Sequence, residues 1–159
     1  MNRELARAVR TGEPYYLHPG QLVASDAPIL VSTVLGSCVA VCLWDQGLKV
    51  GGINHFLLPV GPHGESSTRY ADQAIPQLVA RVRALGSVNG SLVAKVFGGA
   101  CVIAAFSRQR EQLGQRNVAA ARELLARLGV QVVAEDVGGE RGRKLFFSLV
   151  DGSVAVKVL

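Results

Sequence analysis

The chain has 159 residues, 49% of them apolar and 18% charged, a balance that excludes a disordered segment and suits one domain with a full core. Its net charge of +5 admits an acidic partner, but the arginines over residues 3–10, 108–127 and 141–143 form no nucleic-acid motif, and 6% aromatic residues make no stacking platform. No apolar run approaches the roughly 20 residues of a membrane helix, no signal-peptide core follows Met1, and three cysteines fit free thiols in a reducing, cytoplasmic compartment.

Residues 1–20 read as an N-terminal arm, arginine-bearing and then tyrosine- and proline-containing, ahead of a single domain over 21–159. Strands are predicted near 21–24 and over 29–35. Residues 39–44 and 49–58 are apolar-rich and flank the polar break Asp45-Gln46-Gly47-Leu48, the pattern of a hairpin. A Pro/Gly/Ser loop spans 59–69, long enough to border a site. A helix over about 72–85 places Ile75, Leu78, Val79 and Val82 on one stripe, with Pro76 near its start. A strand over 91–97 stops at Gly98-Gly99. A second helix over about 117–128 carries Val118, Ala121, Leu124, Leu125 and Leu128 on one side and ends at Gly129. Short strands follow at 130–133, 145–149 and 154–158. The expected fold is α+β, or layered α/β, with a β-sheet or β-sandwich core flanked by two amphipathic helices.

The chemistry centres on the hairpin. Cys38 follows the tight Gly36-Ser37 turn, and His55 comes seventeen residues later. If Gln46-Gly47 is a two-residue loop, Cys38 and His55 are directly opposed on one face, with Cβ atoms roughly 4.5–5.5 Å apart. A thiol beside an imidazole is the pairing that nucleophilic cysteine chemistry uses. Either residue alone reads as a buried small hydrophobe or a satisfied strand histidine; their joint placement favours the pair. Cys42 lies on the same face but on the order of 13 Å along the strand, too far to share a zinc ion with Cys38. No metal or cofactor is expected. Cys101 has no histidine near it in a derivable register and reads as structural, and His18 and His63 fall in loops without a role.

The blocks Leu35-Gly36-Ser37-Cys38-Val39-Ala40-Val41-Cys42 and Gly51-Gly52-Ile53-Asn54-His55-Phe56-Leu57-Leu58-Pro59 closely resemble the signature of the CheD family. Its members are chemoreceptor glutamine deamidases of bacterial and archaeal chemotaxis. Tyr70-Ala71-Asp72, Lys95 to Ala100, Gly114-Gln115-Arg116-Asn117-Val118 and Ala134 to Gly139 continue the match in order, over roughly residues 20–150. By position, the resemblance implies Cys38 as nucleophile, His55 as general base and Ser32 in place of the family's threonine. Thr33 is the nearest rival, although alternation aims it at the opposite face. Gly98-Gly99 and Gly138-Gly139 read first as positions of positive φ, Arg116-Asn117 as a helix cap, and Asp136 as a partner for Arg141 or Arg143. Asn54, Gly98, Gly99, Arg116, Asn117 and Asp136 are alternatively lining for a substrate groove.

The activity implied is hydrolysis of glutamine side chains on methyl-accepting chemotaxis receptors through a thioester, with N–H groups around Gly36, Ser37 and Cys38 facing the oxyanion. A non-catalytic adaptor that binds receptors or a CheC-type phosphatase is the alternative from another class. A peptide-cleaving or acyl-transferring cysteine enzyme would share the site chemistry but not the remaining blocks.

Overall fold

The computed structural model describes residues 2–88, 90–102 and 107–159, with side chains in the last stretch described from residue 112 onward. Helix α1 (Arg3–Thr11) and the short strand β1 (Tyr15–Tyr16) precede β2 (Leu22–Ser25), β3 (Leu30–Leu35), β4 (Val39–Asp45) and β5 (Val50–Asn54). Helix α2 (Ala71–Ala84), β6 (Leu92–Gly98), α3 (Ser107–Arg127), β7 (Gln131–Val137), β8 (Arg143–Ser148) and β9 (Val154–Val158) complete the order. The expected strands and helices therefore form, within a residue or two at most ends. Two elements are longer than periodicity indicates: α3 starts ten residues earlier, in a polar stretch that carries no apolar stripe, and β7 extends through the polar run Ala134-Glu135-Asp136.

The strands make two sheets. One has the order β1-β3-β8-β9 and the other β2-β5-β4-β6-β7. The odd residues of β4 (Val39, Val41, Leu43) pack with Ile75, Leu78, Val79 and Val82 of α2 and with Val118, Ala121 and Leu125 of α3. The even residues Ala40, Cys42 and Trp44 face the first sheet, among Val31, Leu35, Leu145 and Phe147. The five-stranded sheet is thus buried on both faces, which is why every β4 residue is buried and the strand reads as an unbroken apolar run. Three layers result: sheet, sheet and helices, as the sandwich-plus-helices expectation required.

The N-terminal residues do more than lead in. Leu5, Ala8, Tyr15 and Leu17 are buried in the core between the sheets, and β1 pairs in parallel with β3, Tyr15 with Val31 and Tyr16 with Ser32. An arginine-rich helix with two buried residues is hard to see in a sequence, because its stripe is too narrow to dominate the composition.

Candidate active site

The β4–β5 hairpin turns through four residues, not two. Asp45 pairs with Val50, and the Asp45 Oδ1 accepts hydrogen bonds from the Gly47 and Leu48 N–H groups at 3.0 Å each. The Asp45 carbonyl accepts from the Lys49 N–H, and Lys49 takes the left-handed φ of 53° that closes the turn. Side-chain capping of the turn by Asp45 makes the longer loop the better solution. Cys42 therefore opposes Ile53, and Val39 opposes Phe56. His55 falls opposite Ala40, so Cys38 and His55 are diagonal neighbours and not a directly opposed pair. A two-residue shift preserves parity, so both stay on the face turned to the other sheet. Diagonal neighbours lie roughly 7–8 Å apart at Cα, within reach of an imidazole ring.

Across the sandwich, Thr33 of β3 reaches the same ring. Its Oγ1 lies 2.7 Å from His55 Nδ1, and it donates to the Leu17 carbonyl at 2.8 Å. Ser32, the residue expected from position alone, is not the one on the histidine. It pairs with Tyr16 on one side and Phe146 on the other, and its side chain shares their outward-facing side of the sheet. Thr33 alternates inward with Val31 and Leu35, all three fully buried. The parity that sends Thr33 to the opposite face from Ser32 sends it toward the histidine. Those apolar neighbours were the available sequence signal. The Leu17 carbonyl, a main-chain atom, left none.

These two hydrogen bonds fix the tautomer. A threonine hydroxyl has one proton, and here it goes to Leu17 O. The 2.7 Å contact must then be Nδ1–H donating to Oγ1, which leaves a lone pair on His55 Nε2. Nε2 is buried and has no partner among the described residues. Burial lowers the His55 pKa from 6.5 to about 4, so the ring is neutral at pH 7. Burial also pushes the Cys38 thiol up, offset in part by a hydrogen bond from its own backbone. Burial thus favours the neutral form of both groups. His55 is only 1% exposed whereas Cys38 is partly open, so access is from the sulfur side.

The turn carrying Cys38 is held by its carbonyls. Ala100 N–H donates to Gly36 O, Asn117 Nδ2 to Ser37 O and Gly99 N–H to Cys38 O, at 2.9, 3.0 and 2.9 Å. Among the described residues the Ser37 N–H makes no hydrogen bond, and the Cys38 N–H bonds only its own sulfur, so both face the site and not another segment. Gly98 has φ +107°, and a Cβ there would collide with the Cys38 carbonyl. Gly99, Gly138 and Gly139 also have positive φ, as expected. Asp136 pairs with Arg143, whose buried guanidinium also donates to the Asp136 and Gly138 carbonyls. The Gly138 N–H and Gly139 O bond Gly98 O and Cys101 N–H, so this loop buttresses the site from behind.

Other expected residues separate. Arg116 and Asn117 lie in the middle of α3 and cap nothing, since the helix begins at Ser107; Arg116 is exposed and Asn117 buried. Asn54 is on the helix side of the sheet, where its Oδ1 accepts the Val41 N–H at 2.9 Å. Cys42 is buried, which raises its pKa, and its sulfur packs in the core.

A family model described as "CheD chemotactic sensory transduction" matches residues 57–158. A protein of Anaeromyxobacter dehalogenans named "Probable chemoreceptor glutamine deamidase CheD 1" is 51% identical over 144 residues, covering 91% of this chain and 84% of that one. Proteins named "Probable chemoreceptor glutamine deamidase CheD" from Rhodospirillum rubrum and Methanococcus vannielii are 44% and 39% identical, over 91% and 87% of this chain and 81% and 90% of theirs. The family model begins beyond Cys38 and His55. An overlap of 144 residues in a chain of 159 necessarily takes both in, with Thr33.

Proposed function

This chain belongs to the CheD family, and on that footing we propose that it is a protein-glutamine deamidase, hydrolysing glutamine side chains of chemoreceptors to glutamate and ammonia with Cys38, His55 and Thr33. The observation that carries the site is the hydrogen-bond chain Thr33 Oγ1–H to Leu17 O and His55 Nδ1–H to Thr33 Oγ1, which leaves Nε2 as a base on the face of Cys38.

As the glutamine amide enters from the open side of Cys38, Nε2 takes the thiol proton and sulfur attacks Cδ. The carbonyl π electrons move to oxygen, and the Ser37 and Cys38 N–H groups are the donors nearest that oxyanion. When the tetrahedral species collapses, the C–N bond breaks and the imidazolium gives its proton to the departing nitrogen. Ammonia leaves and a thioester remains on Cys38. His55 then deprotonates a water, which attacks the thioester; the C–S bond breaks, and glutamate and the neutral thiol are restored. Thr33 keeps the ring in the productive tautomer and accepts from the imidazolium throughout. Because burial favours the neutral form of both groups, charge separation occurs only with substrate in place.

No helix among the described residues is long and apolar enough to cross a membrane. A cytoplasmic location and a CheC-type phosphatase as a second partner belong to this reading on the resemblance alone. The test is incubation with a purified receptor cytoplasmic fragment, with glutamine-to-glutamate conversion followed by mass spectrometry. Conversion by the wild type and none by Cys38→Ala is expected. Conversion surviving in Cys38→Ala rejects the nucleophile; no conversion by the wild type on any chemoreceptor fragment favours the adaptor.

A further inference from the structure

Neither Cys38 nor His55 is inside a regular ladder. Strand β4 begins at Val39 and β5 ends at Asn54, with the isolated Val39–Phe56 bridge beyond. Two backbone hydrogen bonds between Val39 and Phe56, at 3.2 and 3.0 Å, end the pairing of the two segments, and a further tie joins them beyond it. Asn117 of α3, 0% exposed, supplies it with one atom: its Nδ2 donates to Ser37 O at 3.0 Å and to Leu57 O at 2.9 Å. Ser37 directly precedes the nucleophile and Leu57 is two residues past the base. Both amide hydrogens are spent, one on each segment, and Oδ1 is buried with no partner among the described residues.

Helix α3 reaches this depth through a glycine contact one turn earlier. A Cβ on Gly114 would collide with the Gly99 carbonyl, and one on Gly99 with Val118 Cγ2 and Gly114 O. Gly114 and Asn117 are three apart and lie on the same helix face. Gly99 itself donates to Cys38 O. Helix seat, amide and nucleophile turn are therefore linked in series.

We infer that Asn117 is a positioning residue that sets the Cys38–His55 separation by tying the Ser37 and Leu57 carbonyls to one buried amide. The inference deepens the deamidase reading and rests on His55 acting on Cys38. Only a primary amide supplies two hydrogens from one nitrogen at this length; aspartate accepts only, and leucine of similar volume does neither. Loss of the clamp lets the two segments drift, and a displacement near 1 Å costs on the order of a hundredfold in rate.

The experiment is a double-mutant cycle of Asn117→Leu with His55→Ala, read by iodoacetamide alkylation of Cys38 and by kcat and KM on the receptor fragment, with near-UV circular dichroism as the fold control. Asn117→Leu is expected to slow alkylation about tenfold and kcat by about 10²-fold with KM nearly unchanged, and to have no further effect once His55 is alanine. A folded Asn117→Leu that matches the wild type, or that is equally harmful in both backgrounds, overturns the inference. Should that variant not fold, the wild-type NMR spectrum decides. Both Asn117 side-chain amide protons must be protected from exchange, and free exchange overturns the clamp. A wild type no more reactive than His55→Ala counts against the base assigned to His55, and the same amide spectrum then decides the clamp separately.

Discussion

The two ends of the β4–β5 hairpin treat buried polar atoms in opposite ways. At the turn, Asp45 is 1% exposed, yet it accepts from Ser87 and Ser91 hydroxyls at 2.7 and 2.8 Å and from the Gly47 and Leu48 N–H groups. Those bonds, that of Ser87 first, hold its carboxyl below the usual carboxylate range. At the open end, His55 Nε2, Asn54 Nδ2 and Asn117 Oδ1 are three of the four buried side-chain atoms without a partner among the described residues, the fourth being Arg83 Nε. A buried polar atom left unpaired costs about 1–3 kcal/mol. One end of the hairpin is built for stability; the other tolerates a deficit where a base must stay free to move a proton.

The contrast predicts that lesions at the two ends separate activity from stability. Cys38→Ala should lower deamidation by at least about 10³-fold with little change in the melting temperature, since the sulfur is partly exposed and only borders the core between the sheets. A parallel loss of stability would merge the two ends into one structural unit.

Acid should act first at the open end. The His55 pKa is about 4 in the folded protein against the ordinary 6.5 of an unfolded chain, so the unfolded chain binds the extra proton between those values. Stability is then full above pH 6.5 and declines as pH falls toward 4, by about 3 kcal/mol in total. Asp45, with its pKa lowered, keeps its contribution through that window and loses it only as pH falls through its folded value. Urea titrations of wild type and His55→Gln between pH 7 and 4.5 should show the slope only in the wild type. The same depressed value puts the acid limb of kcat/KM well below pH 6.5.

Thr33→Val should cost about 10²-fold in kcat, because Nδ1–H and the Leu17 carbonyl both lose their partner and the tautomer is no longer imposed. Ser32→Ala should turn over like the wild type. The reverse result would restore the positional match and move the third residue back to Ser32. The smallest effect on turnover belongs to the far end: Asp45→Ala should destabilise by about 2 kcal/mol in chemical denaturation, with activity per folded molecule unchanged.

Much of this was readable beforehand. The stripes Ile75-Leu78-Val79-Val82 and Val118-Ala121-Leu125 became the buried helix faces, and the even parity of the hairpin put Cys38 and His55 on one side despite the wrong loop length. The parity that puts Cys38 and His55 on one face also turns Thr33, and not Ser32, toward the ring. Position along the chain identifies a hydroxyl six residues before the cysteine, whereas the side of the strand selects the one five before. Pattern reading also missed α1 and the first ten residues of α3, because neither carries a wide apolar stripe.

The order of residues alone set which side chains alternate inward, and so that a thiol and an imidazole would share a face, because side-chain parity is a property of the extended backbone. It determined the family as well, through ordered blocks of residues. Only the packing of one sheet on the other decided that Thr33 meets the ring and that a carbonyl from residue 17 takes its proton. Only the close seat of α3 on Gly99 brought Asn117 to the carbonyls beside both reacting groups. The hydrogen bonds among them join residues 16 to 80 positions apart, and no local pattern encodes a distance between segments that meet only after folding.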